Sequence, residues 1–141
     1  MSKTEKHIGH YPNGKKRVEV TLKDGKEDGL YTSWYENGQK LYEGTYKNGE
    51  RVGLGTMWHE NGQKKGEKNY KNGKMQGLWT DWYENGQKRY ERTYKDGKED
   101  GLYTSWYENG KRKWEITYKD GKFISSIHWD EYGHCDLYYN Q

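Results

Sequence analysis

Carboxylates that recur at a fixed spacing are the first candidates for chemistry in this chain of 141 residues. Four glutamates lie 24 residues apart, each directly before an Asn-Gly pair: Glu36, Glu60, Glu84 and Glu108. Hydrolysis of a glycosidic bond by paired carboxylates needs two acids that converge on the same bond. Equivalent positions of a repeat lie in a row instead, about 10 Å apart when two strand spacings separate them. We therefore interpret these glutamates as solvated side chains beside turns.

The C-terminal stretch from His128 to Asp136 holds a second group of potential ligands. If Tyr132-Gly133 forms a hairpin turn, then Asp130 faces Cys135, and His128 shares their face. This spacing lacks the two close ligand pairs that are typical of zinc sites, so we predict a capping hairpin and no metal site. The thiol is the only one in the chain, and no recognisable nucleophile motif places a base beside it.

The composition argues against an ordinary enzyme core. Hydrophobic residues make up 29% of the chain, and more than half of them are the 15 Tyr and 7 Trp. The few aliphatic residues cannot build a helical or α/β core, whereas the many rings distinguish the chain from a disordered one. No glycine-rich phosphate loop and no nucleophile elbow occurs. We predict a β protein with no enzymatic activity, no catalytic residue and no cofactor.

The elements that must position these residues follow from a repeat of 24 residues. Trp34, Trp58, Trp82 and Trp106 keep this spacing, and His10 holds the same position one period earlier. Asp-Gly or Asn-Gly pairs recur between them, and such pairs favour two-residue type I′ hairpin loops. Strands rich in Tyr, Trp and Thr connect the turns. The sequence predicts an all-β fold: an elongated, single-sheet antiparallel β-meander of about eleven strands, twisted or gutter-shaped.

The repeat also divides the chain. Residues 1–9 are predicted to form an N-terminal arm or edge strand, and residues 10–121 the tandem hairpin repeats. Residues 122–141 depart from the pattern, and we interpret them as a degenerate capping hairpin.

Two-residue loops without bulges would fix the register and the faces. Around Asn37-Gly38, this register pairs Trp34 with Leu41 and places both on one face, which also carries Leu30, Thr32 and Glu43. The same face carries a second row of glutamates opposite threonines, able to form ion pairs with neighbouring Lys or Arg. The other face carries tyrosines beside glycines: Tyr31, Tyr35, Tyr42 and Tyr46 with Gly29 and Gly44. A tyrosine ring opposite a glycine can cover the bare backbone.

The segment from Gly29 to Lys40, Gly-Leu-Tyr-Thr-Ser-Trp-Tyr-Glu-Asn-Gly-Gln-Lys, resembles the bacterial MORN-repeat variant, as does the Tyr46-Lys47-Asn48-Gly49 turn. Proteins made wholly of this repeat are commonly labelled antitoxins of the YwqK-like family. The resemblance extends over nearly everything from about His10 to Gly133. It implies an all-β array of hairpins that contacts other molecules, and it carries over no catalytic residue.

The charge pattern limits the partners. Twenty-five basic residues oppose 22 acidic ones, and the signs alternate along the chain. Such mixing lacks the clustered Lys and Arg that nucleic acids or anionic membranes attract, so we expect neither partner. The N-terminus shows no apolar leader, and together with a single cysteine this favours a cytoplasmic protein.

The function predicted from these observations is protein binding, of the kind in which an antitoxin or immunity protein sequesters a toxin-like partner. If the Tyr face packs inward, Trp34, Trp58, Trp82 and Trp106 form the contact row. The alternative for the same row is that its rings only cover the sheet. Other functions left open are a membrane-associated scaffold, a small-molecule or glycan binder, and a homo-oligomer paired through unpaired edge strands.

Overall fold

In a computed structural model that describes residues 1–139, thirteen strands form one antiparallel sheet. The strands are β1 (Thr4–His10), β2 (Lys16–Lys23), β3 (Lys26–Trp34), β4 (Lys40–Lys47), β5 (Glu50–Trp58), β6 (Lys64–Lys71), β7 (Lys74–Met75), β8 (Gly77–Trp82), β9 (Lys88–Lys95), β10 (Lys98–Trp106), β11 (Arg112–Lys119), β12 (Lys122–Trp129) and β13 (Cys135–Tyr139).

The strands pair in chain order, except that β8 pairs with β6 and not with β7. Gln76 separates β7 from β8, and both pair with β6, so the two occupy one position in the sheet. Within residues 1–139, β1 and β13 each pair with a single strand, which leaves one open edge at either end. The predicted all-β, single-sheet meander is confirmed, with two more strands than the eleven expected. Residues 140 and 141, the end of the predicted capping hairpin, lie outside the described residues.

The hairpins at Asp24-Gly25, Asn48-Gly49 and their equivalents have the predicted two-residue loops. Asn48 adopts a φ of 51° and Gly49 a φ of 81°, and Lys47 pairs with Glu50 across the turn. Positive φ at both central residues defines the type I′ turn, which suits the twist of the flanking strands. The same pair of positive φ values recurs at residues 24–25, 72–73, 96–97 and 120–121.

The Asn37-Gly38 hairpin and its equivalents are built differently, and the predicted two-residue loop is wrong there. Gly38 donates its N–H to the Tyr35 carbonyl (3.0 Å), while Tyr35 donates its own to the Gln39 carbonyl (2.9 Å). Within this loop only Gly38 has a positive φ, of 89°. These bonds define a three-residue loop of a type I turn followed by a left-handed glycine. Asn37 remains right-handed because its side chain stabilises the turn instead, accepting a hydrogen bond from the Gln39 N–H (2.9 Å).

The extra loop residue changes the register at the end of the hairpin. Trp34 pairs with Lys40 rather than with the predicted Leu41, which stands in a bulge. Leu41 accordingly lies with Tyr31 and Tyr42 on the opposite face from its predicted one.

A second irregularity occurs at the glycine that begins each repeat. Val20 pairs with Tyr31, but Leu22 pairs with Glu27, so β3 carries two extra residues opposite β2. Gly29, with a φ of 112°, turns the chain at this bulge. The assumption of a bulge-free sheet is therefore wrong, yet an insertion of two residues preserves the alternation of faces.

The sheet has no second layer, so almost nothing is buried in the usual sense. Among residues 1–139, Tyr94 is the only buried large hydrophobic residue. The buried polar side chains are Thr32, Thr56, Thr80, Thr104, Ser105 and Ser126. A tyrosine does cover Gly44, but the ring is that of Tyr42 on the same strand and not that of the opposite Tyr31. The predicted covering of glycine by tyrosine is wrong at Gly29, which lies in the bulge and faces Thr21 instead.

The same substitution, asparagine to glycine, should affect stability differently in the two kinds of turn. Asn37→Gly removes two side-chain hydrogen bonds, to the Gln39 N–H and the Glu60 carbonyl, and should lower the free energy of unfolding by about 1 kcal/mol. Asn48→Gly keeps the backbone N–H that donates to Asp28 and relieves a left-handed non-glycine, so its effect should stay within about 0.5 kcal/mol. Urea unfolding followed by circular dichroism measures both; equal losses would contradict the two turn types.

Candidate functional site

The face that carries Thr32, Trp34 and their equivalents is called here the Trp face, and it holds the four predicted contact residues. Trp34, Trp58, Trp82 and Trp106 lie in one row at the ends of β3, β5, β8 and β10. Each is half-buried. The structure thus places them in a row on one face, as the period requires, but their rings are not bare.

A lysine covers each of these rings. The Lys40 ammonium lies 5.6 Å from the centre of the Trp58 ring and 2.7 Å from a Glu43 carboxylate oxygen. The same arrangement recurs along the row, with Lys16, Lys64 and Lys88 lying over Trp34, Trp82 and Trp106. The glutamates opposite the threonines do form ion pairs, as predicted. The Trp row is therefore an amphipathic strip of rings and paired charges.

A row of leucines that the function prediction did not use is more exposed than the tryptophans. Leu30, Leu54, Leu78 and Leu102 lie on the Trp face, two residues before the buried threonines, and their exposed fractions run from 44% to 55%. The signal for this row was present in the sequence, because leucine directly follows each bulge glycine. A sheet predicted without bulges gave no reason to expect that these leucines would be exposed.

The hairpin loops connect successive repeats along one side of the sheet. Tyr35 donates its hydroxyl to the Trp58 carbonyl of the next repeat (2.7 Å), and the Asn37 amide donates to the Glu60 carbonyl (2.9 Å). Burial raises the pKa of this Tyr35 hydroxyl. His59 replaces the tyrosine in its own repeat and contacts the Trp82 carbonyl at 3.1 Å. The loop glutamates, such as Glu60, are exposed, in agreement with their predicted solvated role.

The C-terminal hairpin has a register different from the predicted one. Its loop contains three residues, because Gly133 donates to the Asp130 carbonyl and Asp130 donates to the His134 carbonyl. Trp129 therefore pairs with Cys135 and His128 with Asp136, so the predicted pairing of Asp130 with Cys135 is wrong. The Asp130 carboxylate forms a hydrogen bond with the His134 ring (2.9 Å), and this bond lowers the pKa of Asp130. Residues 1–139 contain no cluster of three potential metal ligands.

The opposite face, called here the Tyr face, carries Tyr31, Tyr42, Tyr46 and their equivalents. Cations that sequence reasoning did not single out lie among these rings. The Arg92 guanidinium lies 4.9 Å from the centre of the Tyr90 ring and 5.0 Å from that of Tyr103, and it pairs with Glu99 at 3.2 Å. Rings and cations alternate on this face because they oppose one another across the strands.

The carboxylate of Glu19, on the Trp face, should titrate at an unusually low pH. Hydrogen bonds from Lys16 and Lys6 lower the pKa of Glu19 from 4.5 to about 2. Because the pKa in the folded state is depressed, the contribution of this carboxylate to stability is present above pH 4.5 and is lost as the pH falls through about 2. Carboxyl carbon NMR should show Glu19 still ionised at pH 3, and Lys16→Met should raise its pKa more than Lys6→Met. Titration of Glu19 at its ordinary value would contradict this geometry.

Rings, paired charges and exposed leucines repeat along the two faces of the sheet. No helix within residues 1–139 is long and apolar enough to span a lipid bilayer. A search of curated proteins found no match to the sequence. The family model described as MORN repeat variant matches residues 27–48, 51–72, 75–96 and 99–120, more than half of the chain. MORN repeats generally bind proteins or membranes. The chain belongs to the MORN repeat variant family.

Proposed function

We propose that this chain is a non-enzymatic binding protein whose Trp face holds one protein partner. The observation that carries this proposal is the row of exposed leucines, Leu30, Leu54, Leu78 and Leu102, on a sheet face that no described element covers. Contiguous exposed apolar surface on a soluble domain is typical of an interaction site. At about 10 Å between repeats, the row would extend over roughly 30 Å, which suits a protein interface.

Charges on the Trp face favour a protein over a membrane. Lysines and glutamates alternate beside the leucines, and most are already paired, as Lys40 is with Glu43. An anionic bilayer selects surfaces with excess Lys and Arg, whereas protein interfaces combine an apolar centre with a rim of both signs. The half-buried tryptophans supply further ring surface between the leucines and this rim.

We further propose that the protein sequesters its partner as an antitoxin or immunity protein does, in the cytoplasm. The resemblance to the antitoxin family supports this role. The one cysteine, Cys135, is free and exposed, which suits a reducing compartment. A tandem array offers the same contact several times along one face, so a partner can be held at several points at once.

The leucine row can be tested by affinity capture from the native cell lysate. Leu54→Asn and Leu78→Asn together should weaken capture of one stoichiometric protein at least tenfold at moderate salt, since central apolar contacts dominate interface energies. Both leucines are exposed, so the melting temperature should change little. The double variant Trp58→Ala, Trp82→Ala tests the Trp row separately.

Tyr138→Asn is the matched control, because Tyr138 is 54% exposed and pairs with Ser126 away from the leucine row. It should leave capture unchanged. Equal capture by wild type and by the leucine variant would overturn the proposed interface. If the partner is captured but its isolated activity is not inhibited by this chain, protein binding stands and the antitoxin role fails.

Self-assembly is a second candidate function, favoured by the two open edges of the sheet. Lys3 accepts a hydrogen bond from the Asp24 N–H, so alternation along β1 directs the Ile8 N–H away from β2. Outward N–H and carbonyl groups of this kind can pair with another chain.

Proline at this position should abolish edge pairing while sparing the ladder to β2. We expect Ile8→Pro to convert any dimer to monomer in light scattering, because proline has no N–H to donate. Ile8→Val keeps the N–H and serves as the control. A dimer that survives Ile8→Pro would exclude pairing through β1.

A further inference from the structure

A cavity of about 330 Å³ opens on the Tyr face over β4, β5 and β6. Its position coincides with a departure from the repeat. Gly55 stands where the other repeats have Tyr31, Trp79 and Tyr103, and Gly66 stands where they have Tyr42, Tyr90 and Trp114. Two neighbouring rings are therefore missing from an otherwise continuous aromatic surface, and the gap has the volume of a small-ligand site.

Aromatic rings form the walls of this cavity. The Tyr31 ring centre lies 5.8 Å from that of Tyr42 and 5.9 Å from that of Tyr46, and Tyr70 closes the far side. At Gly55 the Tyr42 ring lies over the backbone of the floor, with its hydroxyl 2.9 Å from the place that a Cβ would occupy. Such a slot accepts a flat, apolar body.

Two cations line the same cavity and no carboxylate does. Arg51 donates from Nε to the Tyr46 hydroxyl and from Nη1 to the Tyr70 hydroxyl, both at 3.0 Å. The Lys68 ammonium lies 3.9 Å from the centre of the Trp79 ring. Neither cation has a carboxylate oxygen within 4.0 Å in the described part of the chain, from residue 1 to residue 139.

The contrast with an adjacent repeat shows that this positive charge is local. Arg92 occupies the position equivalent to Lys68, and Glu99 neutralises it at 3.2 Å. The residue equivalent to Glu99, one period earlier and seven residues after Lys68, is Met75, so the neutralising anion is replaced by an uncharged side chain. Burial lowers the pKa of Lys68, and the charges of Arg51 and Arg92 lower it further. The Asp81 carboxylate beside Gly66 opposes the shift, and an anionic ligand would offset the remaining cost. Guanidinium groups bind carboxylates through charge-assisted hydrogen bonds.

We propose that this cavity is a binding site for a small aromatic carboxylate, with its ring between the tyrosines and its carboxylate against Arg51 and Lys68. The assignment is independent of the protein partner on the Trp face. The residues that distinguish this site from the other repeats all lie in the repeat at residues 51–72.

The test is a titration of the full chain with indole-3-carboxylate and benzoate, followed by amide NMR shifts and calorimetry. Indole-3-carboxamide is the neutral control. We expect saturable binding of a carboxylate with shifts confined to β4–β6, and at least tenfold weaker binding of the carboxamide. Absence of saturable binding by both carboxylates, or equal binding of the carboxamide, would overturn the proposal. Inorganic phosphate that competes as well as benzoate would overturn the aromatic part of it.

Two variants locate the site independently. Arg51→Met should weaken binding at least tenfold, and because this side chain is exposed, folding should persist; Arg92→Met, outside the cavity, should leave binding unchanged. Gly66→Tyr restores the ring that the other repeats carry and should abolish binding without lowering the melting temperature. Its control, Gly66→Ala, displaces only the end of the Asp81 side chain and should retain binding. Binding that survives both Arg51→Met and a folded Gly66→Tyr would place the ligand elsewhere.

Discussion

The structure depends on one constraint: a single-layer sheet must cover its own backbone. Without a second layer, no side chain can be buried from all directions, and Tyr94 is the only large hydrophobic residue within residues 1–139 that is buried at all. Cross-strand neighbours must therefore shield each other, and large rings do this best for each residue used. This explains why tyrosine and tryptophan replace the aliphatic residues of an ordinary core. It also explains why lysine ammonium groups lie over the tryptophan rings.

Much of the fold could be predicted because the determinants are local and recur. Asp24-Gly25 and its equivalents specify two-residue turns through their tolerance of positive φ, and the period fixes the order of the strands. The Asn37-Gly38 hairpin could not be predicted from the dipeptide alone. In that hairpin the Asn37 side chain donates a hydrogen bond to the Glu60 carbonyl of the next repeat, and the loop is one residue longer. The register of Trp34 and Leu41 changed as a consequence.

The candidate sites were less predictable, because they arise where local rules and the sheet compete. The exposure of Leu30 depends on the bulge at Gly29, which only the paired strands reveal. The cavity depends on residues that are absent: Gly55 and Gly66 read in the sequence as two more glycines in a glycine-rich chain. Alignment of the repeats by their period shows that they replace rings, but only the pairing of β5 with β6 brings the two positions together. The sequence likewise does not show that Arg51 and Lys68 line one cavity without a carboxylate in its lining.

A tandem array can carry such a gap because its stability is summed over neighbours rather than held in one core. Loss of two rings from one repeat weakens contacts with the adjacent strands only, and Tyr42 and Arg51 compensate by lying over the exposed backbone and among the remaining rings. The repeated positions then maintain the sheet, while the departures from the repeat are free to acquire specificity. The Trp face and the Tyr face would therefore have different roles. A regular row presents the same contact many times, whereas one irregular repeat presents a single pocket with its own charge.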